Sequence, residues 1–231
     1  IWPMPNVDGT DSVFPMPEEG KQWDVSAIWD GKALGADTAK FQLTYFGRDS
    51  ENLLQLMSRN FFFFYTNAAK AKVNGLEIQA DMSWQKWDVN LQATYTKPKD
   101  VFYDMTKLPG YDSNTIAGSL TYQPQWEGTA RLTYRPDTNW SLFTQLRYVD
   151  WMVTDPIPLT TGAVKRQSSL TTMDVGVKYK FNKSLQLAVG CNDVLNKAND
   201  MYLNMYGNGE IRNIQYPIQG RTYYATLQYT Y

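Results

Sequence analysis

The chain has 231 residues and is 15% aromatic, with 22 Lys plus Arg against 23 Asp plus Glu. The aromatic content excludes a disordered chain, and the net charge of -1 leaves no basic footprint for nucleic acid. The absence of His and a single cysteine, Cys191, remove Ser-His-Asp and Cys-His catalysis, His-ligated zinc, internal disulfides and multi-cysteine metal sites. No catalytic residue, metal or cofactor is expected.

The opening residues, Ile1-Trp2-Pro3-Met4-Pro5, lack a basic region followed by an apolar stretch and do not read as a signal peptide. Residues 1–21 carry Pro3, Pro5, Pro15 and Pro17 and read as an irregular loop. From 22 to 231 the chain alternates apolar and polar residues, the period of a strand with one apolar face. Trp23, Val25, Ala27 and Trp29 oppose Asp24, Ser26 and Asp30. Phe41, Leu43 and Tyr45 oppose Gln42, Thr44 and Arg48. Leu76, Ile78, Ala80, Met82 and Trp84 come next, then Trp87, Val89, Leu91, Ala93 and Tyr95. Trp126, Ala130, Leu132 and Tyr134 follow, then Trp140, Leu142, Leu146 and Tyr148. Val175, Val177, Tyr179 and Phe181 precede Leu185, Leu187, Val189 and Cys191. The chain finishes on Tyr223, Ala225, Leu227, Tyr229 and Tyr231. The pattern predicts about nine strands, and the longest apolar cluster, Phe61-Phe62-Phe63-Phe64-Tyr65, is far short of a spanning helix of roughly 20 residues.

Alternation also marks soluble β-sandwiches, so three further features decide the expectation. Several runs are long enough to cross a bilayer at a tilt. Trp84, Trp87, Tyr134, Trp140, Tyr179 and Phe181 flank short turns, while Tyr95, Trp126 and Tyr148 sit at the opposite strand ends, as in the aromatic girdles of a barrel. Short corners also alternate with long connections, read at Asp49–Asn60, Lys97–Gln123, Asp150–Gln167 and Leu195–Gln219. The expected fold is all-β, an antiparallel transmembrane β-barrel in the bacterial outer membrane. With the C-terminus on the periplasmic side, nine strands place residues 1–21 outside the cell. A single-chain barrel has an even strand number, so the chain is expected to be a C-terminal part that pairs with a segment carrying the missing strands. A turn hidden within Asn67–Asn74 would make the count even, but that stretch has poor turn chemistry.

Several strings resemble the C-terminal barrel of a TonB-dependent outer-membrane receptor. Asn67-Ala68-Ala69-Lys70-Ala71 leading to Asn74-Gly75-Leu76-Glu77 resembles that family's N-x-G-K-A…G-[VLI]-E strand, with Ala69 in place of the usual Gly. Asn192-Asp193-Val194-Leu195-Asn196-Lys197 is similar to its N-L-F-D/N-K string, with Asp193 added and Leu for Phe. Gly220-Arg221-Thr222-Tyr223 resembles the G-R-x-[YFW] start of its last strand, and Pro17-Glu18 ahead of Trp23 a P-E…W lead-in. The resemblance covers most of residues 17 to 231. It implies a barrel of about 22 strands around an N-terminal plug, driven through TonB, with outer-membrane lipid, lipopolysaccharide and the barrel-assembly machinery as partners. Tyr223, Leu227, Tyr229 and Tyr231 resemble the terminal assembly signal.

The function so implied is active uptake of a scarce, bulky nutrient such as a ferric siderophore or cobalamin. Aromatic and Arg groups in the outer loops suit aromatic or anionic ligands; the candidates are Tyr103, Tyr111, Trp151, Tyr202, Tyr206 and Arg212. Glu77, Arg131, Arg147, Asp174 and Lys178 are candidates to face the lumen and plug. The competing readings are a passive porin or another small barrel, a secreted β-sandwich that binds carbohydrate, and an outer-membrane enzyme, the last weakened by the missing histidine.

Overall fold

The structure, a computed structural model, describes residues 4–5, 12–13, 16–59, 62–97, 100–104, 115–118, 122–153, 166–197, 202–207, 210–215 and 219–230. A short pair, β1 (Met4–Pro5) and β2 (Ser12–Val13), precedes β3 (Glu19–Gly31). Next come β4 (Thr38–Arg59), β5 (Phe62–Ser83) and β6 (Trp87–Thr96). β7 (Asp100–Asp104) and β8 (Thr115–Gly118) form a side hairpin that pairs with β5. β9 (Trp126–Tyr134) and β10 (Trp140–Val149) follow. β11 (Met152–Val153) pairs with β12 (Arg166–Gln167) ahead of β13 (Leu170–Lys180) and β14 (Leu185–Asn192). The hairpin of β15 (Tyr202–Gly207) and β16 (Glu210–Gln215) precedes the last strand, β17 (Thr222–Tyr229).

Nine of these strands form one antiparallel meander in the order β3-β4-β5-β6-β9-β10-β13-β14-β17. The register keeps apolar residues opposite apolar residues. One row runs Val25, Tyr45, Leu76, Tyr95, Trp126 across five strands. Another runs Trp87, Tyr134, Leu142, Val177, Val189, Ala225 across six. A slip of one residue would move every such side chain to the polar face, so the alternation itself holds the register.

No second layer among the described residues covers the apolar face. Among the described residues the buried apolar side chains are only Ala36, Ala39, Ala71, Val73 and Ala80. Val25 and Leu227 are each 67% exposed, and Leu43, Ile78, Leu91, Leu132 and Leu146 are exposed too. Each large apolar side chain left in water forgoes about 1.5–3 kcal/mol of transfer free energy. A soluble sandwich would bury this face, whereas lipid is the solvent that suits it.

The turns after β3, β5, β9 and β13 lie on one edge. Between β3 and β4, Leu34 (φ 53°) and Gly35 (φ 73°) form a two-residue turn closed by the Ala36 amide on the Ala33 carbonyl at 2.9 Å. Positive φ at both positions matches the right-handed twist of the flanking strands. Asp137 Oδ1 accepts from the amides of Asn139 and Trp140, and Asn182 Oδ1 from those of Ser184 and Leu185, so each side chain closes its own turn.

The opposite edge differs from the expected pattern. Asp49–Asn60 reads as a long loop in the sequence, but β4 continues to Arg59 and pairs with β5 throughout. The register shifts around Ser50, Leu53 and Leu54, and Asn52 takes φ 56°. That bulge breaks the alternation and hides the strand. β5 runs unbroken through Asn67–Asn74, so the meander has nine strands, not ten. The stretches Lys97–Gln123 and Leu195–Gln219, also read as connections, contain the hairpins β7–β8 and β15–β16. The first long strand starts at Glu19, inside the segment read as a loop.

Candidate functional site

The apolar face carries two aromatic belts. On the short-turn edge, ring centroids lie 4.2 Å apart for Trp87 and Tyr134, 4.5 Å for Trp140 and Tyr179, 4.9 Å for Tyr179 and Phe181, and 5.5 Å for Trp29 and Phe41. On the far edge, Tyr95 and Trp126 lie 4.8 Å apart and Trp23 and Tyr45 5.4 Å. Trp87 and Tyr95 cap β6 about 26 Å apart along the strand. At a tilt of roughly 40° that is about 20 Å of height, which the rings extend towards the ~25 Å apolar band of an outer-membrane barrel.

The polar face is hydrogen-bonded across strands. Ser26 and Thr44 share a hydroxyl bond at 2.8 Å, and Asn90 Nδ2 donates to Asp81 at 2.7 Å. Near the short-turn edge, Asp88 accepts from Ser83 Oγ at 2.7 Å and from both terminal nitrogens of Arg135, one of them at 2.6 Å. This bidentate pair ties β6 to the turn after β9.

Among the described residues three aromatic rings lie on the strands of this face, and each sits over a glycine of the neighbouring strand. Phe46 covers Gly75, Phe143 covers Gly176, and Tyr224 covers Gly190. A Cβ at Gly75 would sit 2.7 Å from the Tyr95 carbonyl oxygen, and one at Gly176 would sit 2.8 Å from Phe143 Cζ. The rings therefore reach across to the neighbouring strand. The Arg131 guanidinium stands 4.2 Å from the Phe143 ring centroid and donates to Gln145 at 3.4 Å. At the far edge a recess of about 630 Å³ opens between β3 and β9, with Asp24, Gln42, Arg48, Glu77, Thr94 and Glu127 in its lining.

Above the far belt, β4 and β5 rise out of the sheet, with β7 and β8 beside β5. The Asn67 side chain fastens the rise. Its Oδ1 accepts from the Met16 amide at 2.6 Å, and its Nδ2 donates to the carbonyls of Met16 at 2.9 Å and Asn52 at 2.6 Å. Glu18 Oε1 accepts from the Leu54 amide at 2.7 Å.

The family model for the TonB dependent receptor-like β-barrel matches residues 6–194. The chain belongs to that family. Its strands therefore lie in the bacterial outer membrane, with the apolar face towards lipid and the polar face towards the lumen. In fold it is similar to the copper transporter OprC, with a TM-score of 0.65 and 14% identity over 94% of this chain and 32% of that one. It is also similar to the siderophore receptor PiuA from Acinetobacter baumannii, with a TM-score of 0.63 and 17% identity over 92% and 28%. A mutant of the ferric enterobactin receptor PfeA from Pseudomonas aeruginosa gives 0.62 and 17% over 92% and 31%. The chain thus spans between 28% and 32% of the length of these three receptors. No curated protein matches it in sequence.

In this TonB-dependent receptor barrel, the alternation puts Glu77, Arg131, Arg147, Asp174 and Lys178 on the polar face, spread over β5, β9, β10 and β13. Asp174 Oδ1 accepts from the Asp193 amide at 2.9 Å. The loop candidates are less concentrated. Tyr103 is on β7 opposite Ala69, and Tyr202, Tyr206 and Arg212 share the β15–β16 hairpin, where Arg212 is opposite Met205. Trp151 is half-buried after β10, its amide on Asp150 Oδ1 at 2.9 Å. Tyr111 lies outside the described residues, as does Tyr231, while Tyr223, Leu227 and Tyr229 are exposed on the apolar face of β17. Among the described residues no acidic or Cys cluster has the grouping to hold a metal ion.

The Asn67 clasp, the Asp88–Arg135 pair and the ring-on-glycine contacts are not apparent in the sequence. Phe46, Phe143 and Tyr224 stand out there only as aromatics in the polar phase of their strands. Each acquires meaning once the register sets a glycine opposite it.

Proposed function

We propose that this chain is the C-terminal part of the barrel of a TonB-dependent receptor, and that the receptor imports a scarce, bulky nutrient such as a ferric siderophore or cobalamin. The observation that carries the reading is the family match over residues 6–194, on a sheet whose apolar face has no covering layer among the described residues. On this reading residues 1–21 belong to the extracellular side and 22–231 to the membrane-spanning wall. The tall β4–β5 hairpin forms one side of an external cup. Tyr103, Tyr111, Trp151, Tyr202, Tyr206 and Arg212 are proposed ligand contacts, since aromatic rings and guanidinium groups suit aromatic or anionic chelates. The lumen is filled by a plug domain that engages TonB, and Tyr223, Leu227, Tyr229 and Tyr231 form the signal for the barrel-assembly machinery. The receptor catalyses no covalent chemistry.

Uptake of labelled ferric chelates and cobalamin by cells with and without the receptor tests this. Uptake of at least one of them is expected to need both the receptor and TonB. An open, TonB-independent conductance of the purified protein in a planar bilayer, with no such uptake, points instead to a passive porin.

A further inference from the structure

The charges on the lumenal wall are sorted laterally. On β3 to β6 five carboxylates, Asp24, Asp30, Glu77, Asp81 and Asp88, stand against two cations, Lys40 and Arg48. On β10 to β17 three cations, Arg147, Lys178 and Lys180, stand against Asp174 alone. The wall neutralises itself only in part: Asp88 is paired with Arg135, and Lys40 stands opposite both Asp30 and Asp81, while Glu77 and Lys178 have no such partner. Glu77 faces Thr44 and Thr94, and its diagonal neighbours are Gln42, Phe46, Gln92 and Thr96, none of them a cation. Lys178 faces Ser141 and Ala188, with Phe143, Gln186 and Gly190 on its diagonals, none of them an anion. Neither residue has an ion pair among the described residues, and Arg48 donates to Gln22 at 3.1 Å, not to Asp24. Four strand steps, about 19 Å across the strands, and eight residues, about 26 Å along them, separate Glu77 from Lys178. Even the first of these is about twice the screening length at physiological salt.

We propose that this sorted wall keys the rotational setting of the polypeptide domain that fills the lumen: its basic face lies against β3–β6 and its acidic face against β10–β14. The inference rests on the receptor reading above and adds an orientation to it. Charge complementarity picks a polypeptide as the occupant. A folded domain holds fixed charges of both signs at separations of about 20 Å and more, whereas a small solute meets only one half of the wall. The surfaces suit contact on both sides. The acidic half holds the 630 Å³ recess with Asp24 and Glu77 in its lining. In the basic half, Phe143 and Tyr224 reach over Gly176 and Gly190, and the Arg131 guanidinium over the Phe143 ring presents a further polar group to a partner.

The test is hydrogen exchange on the full-length receptor in detergent, comparing wild type with two neutralised variants. Asp24→Asn with Glu77→Gln is expected to speed exchange of the lumenal domain of the order of tenfold in one set of segments. Arg147→Gln with Lys178→Gln is expected to do so in a different set, on the opposite face. Both effects are expected to shrink in 1 M salt, and the barrel strands keep wild-type protection. A heat-modifiable gel shift reports folding, and a variant that fails it is replaced by Glu77→Gln or Lys178→Gln alone. Unchanged exchange in both variants, or loosening of the same segments by both, overturns the keyed orientation and leaves the receptor reading standing. Absence of any lumen-filling domain from the purified receptor overturns the receptor reading itself.

Discussion

Gly75 shows how little room the wall leaves at single positions. Phe46 lies over it from one side and the Tyr95 carbonyl approaches from the other. An added methyl has no free direction, because one of its neighbours is backbone. Gly75→Ala is therefore expected to cost about 1–3 kcal/mol, the usual range for overpacking. Gly20→Ala meets only the Asp49 carbonyl at 3.7 Å and Ser50 Oγ at 3.9 Å, ordinary contacts, and is expected to stay within about 0.5 kcal/mol of wild type. Urea midpoints of the full-length receptor check the pair, and equal midpoints would remove the packing argument. Residues of this kind were unreadable in sequence because their role depends on the strand next door.

The nine strands of the meander, by contrast, were readable one at a time. Alternation reports a face that meets one medium along its whole length, and lipid provides that uniformity for Val175, Val177 and Tyr179 as for Leu185, Leu187 and Val189. Legibility stopped at Ser50, where the bulge and the left-handed Asn52 put consecutive residues out of phase, and it stopped again in the outer loops, where no single periodicity applies. The raised hairpin beyond that bulge depends on Asn67, whose amide makes three bonds to Met16 and Asn52. Asn67→Ala is expected to raise amide exchange at Met16, Glu18 and 52–54 of the order of tenfold, about the loss of one net hydrogen bond or more. Exchange on β6 and β10 should not move. Protection at 16–18 that survives the substitution would show that the segment is held by other contacts.

For the molecule as a whole, the decisive feature is that β3 and β17 each have a neighbour on only one side of the described sheet. In lipid an open row of amides and carbonyls has no water to satisfy it. Residues 1–231 expressed alone are therefore expected to form mixed oligomers without a heat-modifiable monomer band. Supplying a segment with further strands of the same receptor should restore a single folded species. A monomeric, heat-modifiable 1–231 would mean that the two outer strands close on each other.

The meander also sets the order in which the wall can be built. Each strand of the principal sheet pairs with the one before it, so every ladder closes only the loop that joins two successive strands. Loop-closure entropy grows slowly with loop length, and each hairpin added reuses an edge already formed. Assembly can advance like a zip along the chain, in either direction, with no long-range search. On the proposed reading β3 meets the strand before it in the same way, and the step left for last is the seam where β17 meets the first strand of the barrel, so the kinetic bottleneck falls on the closure of the circle and not on any strand within it.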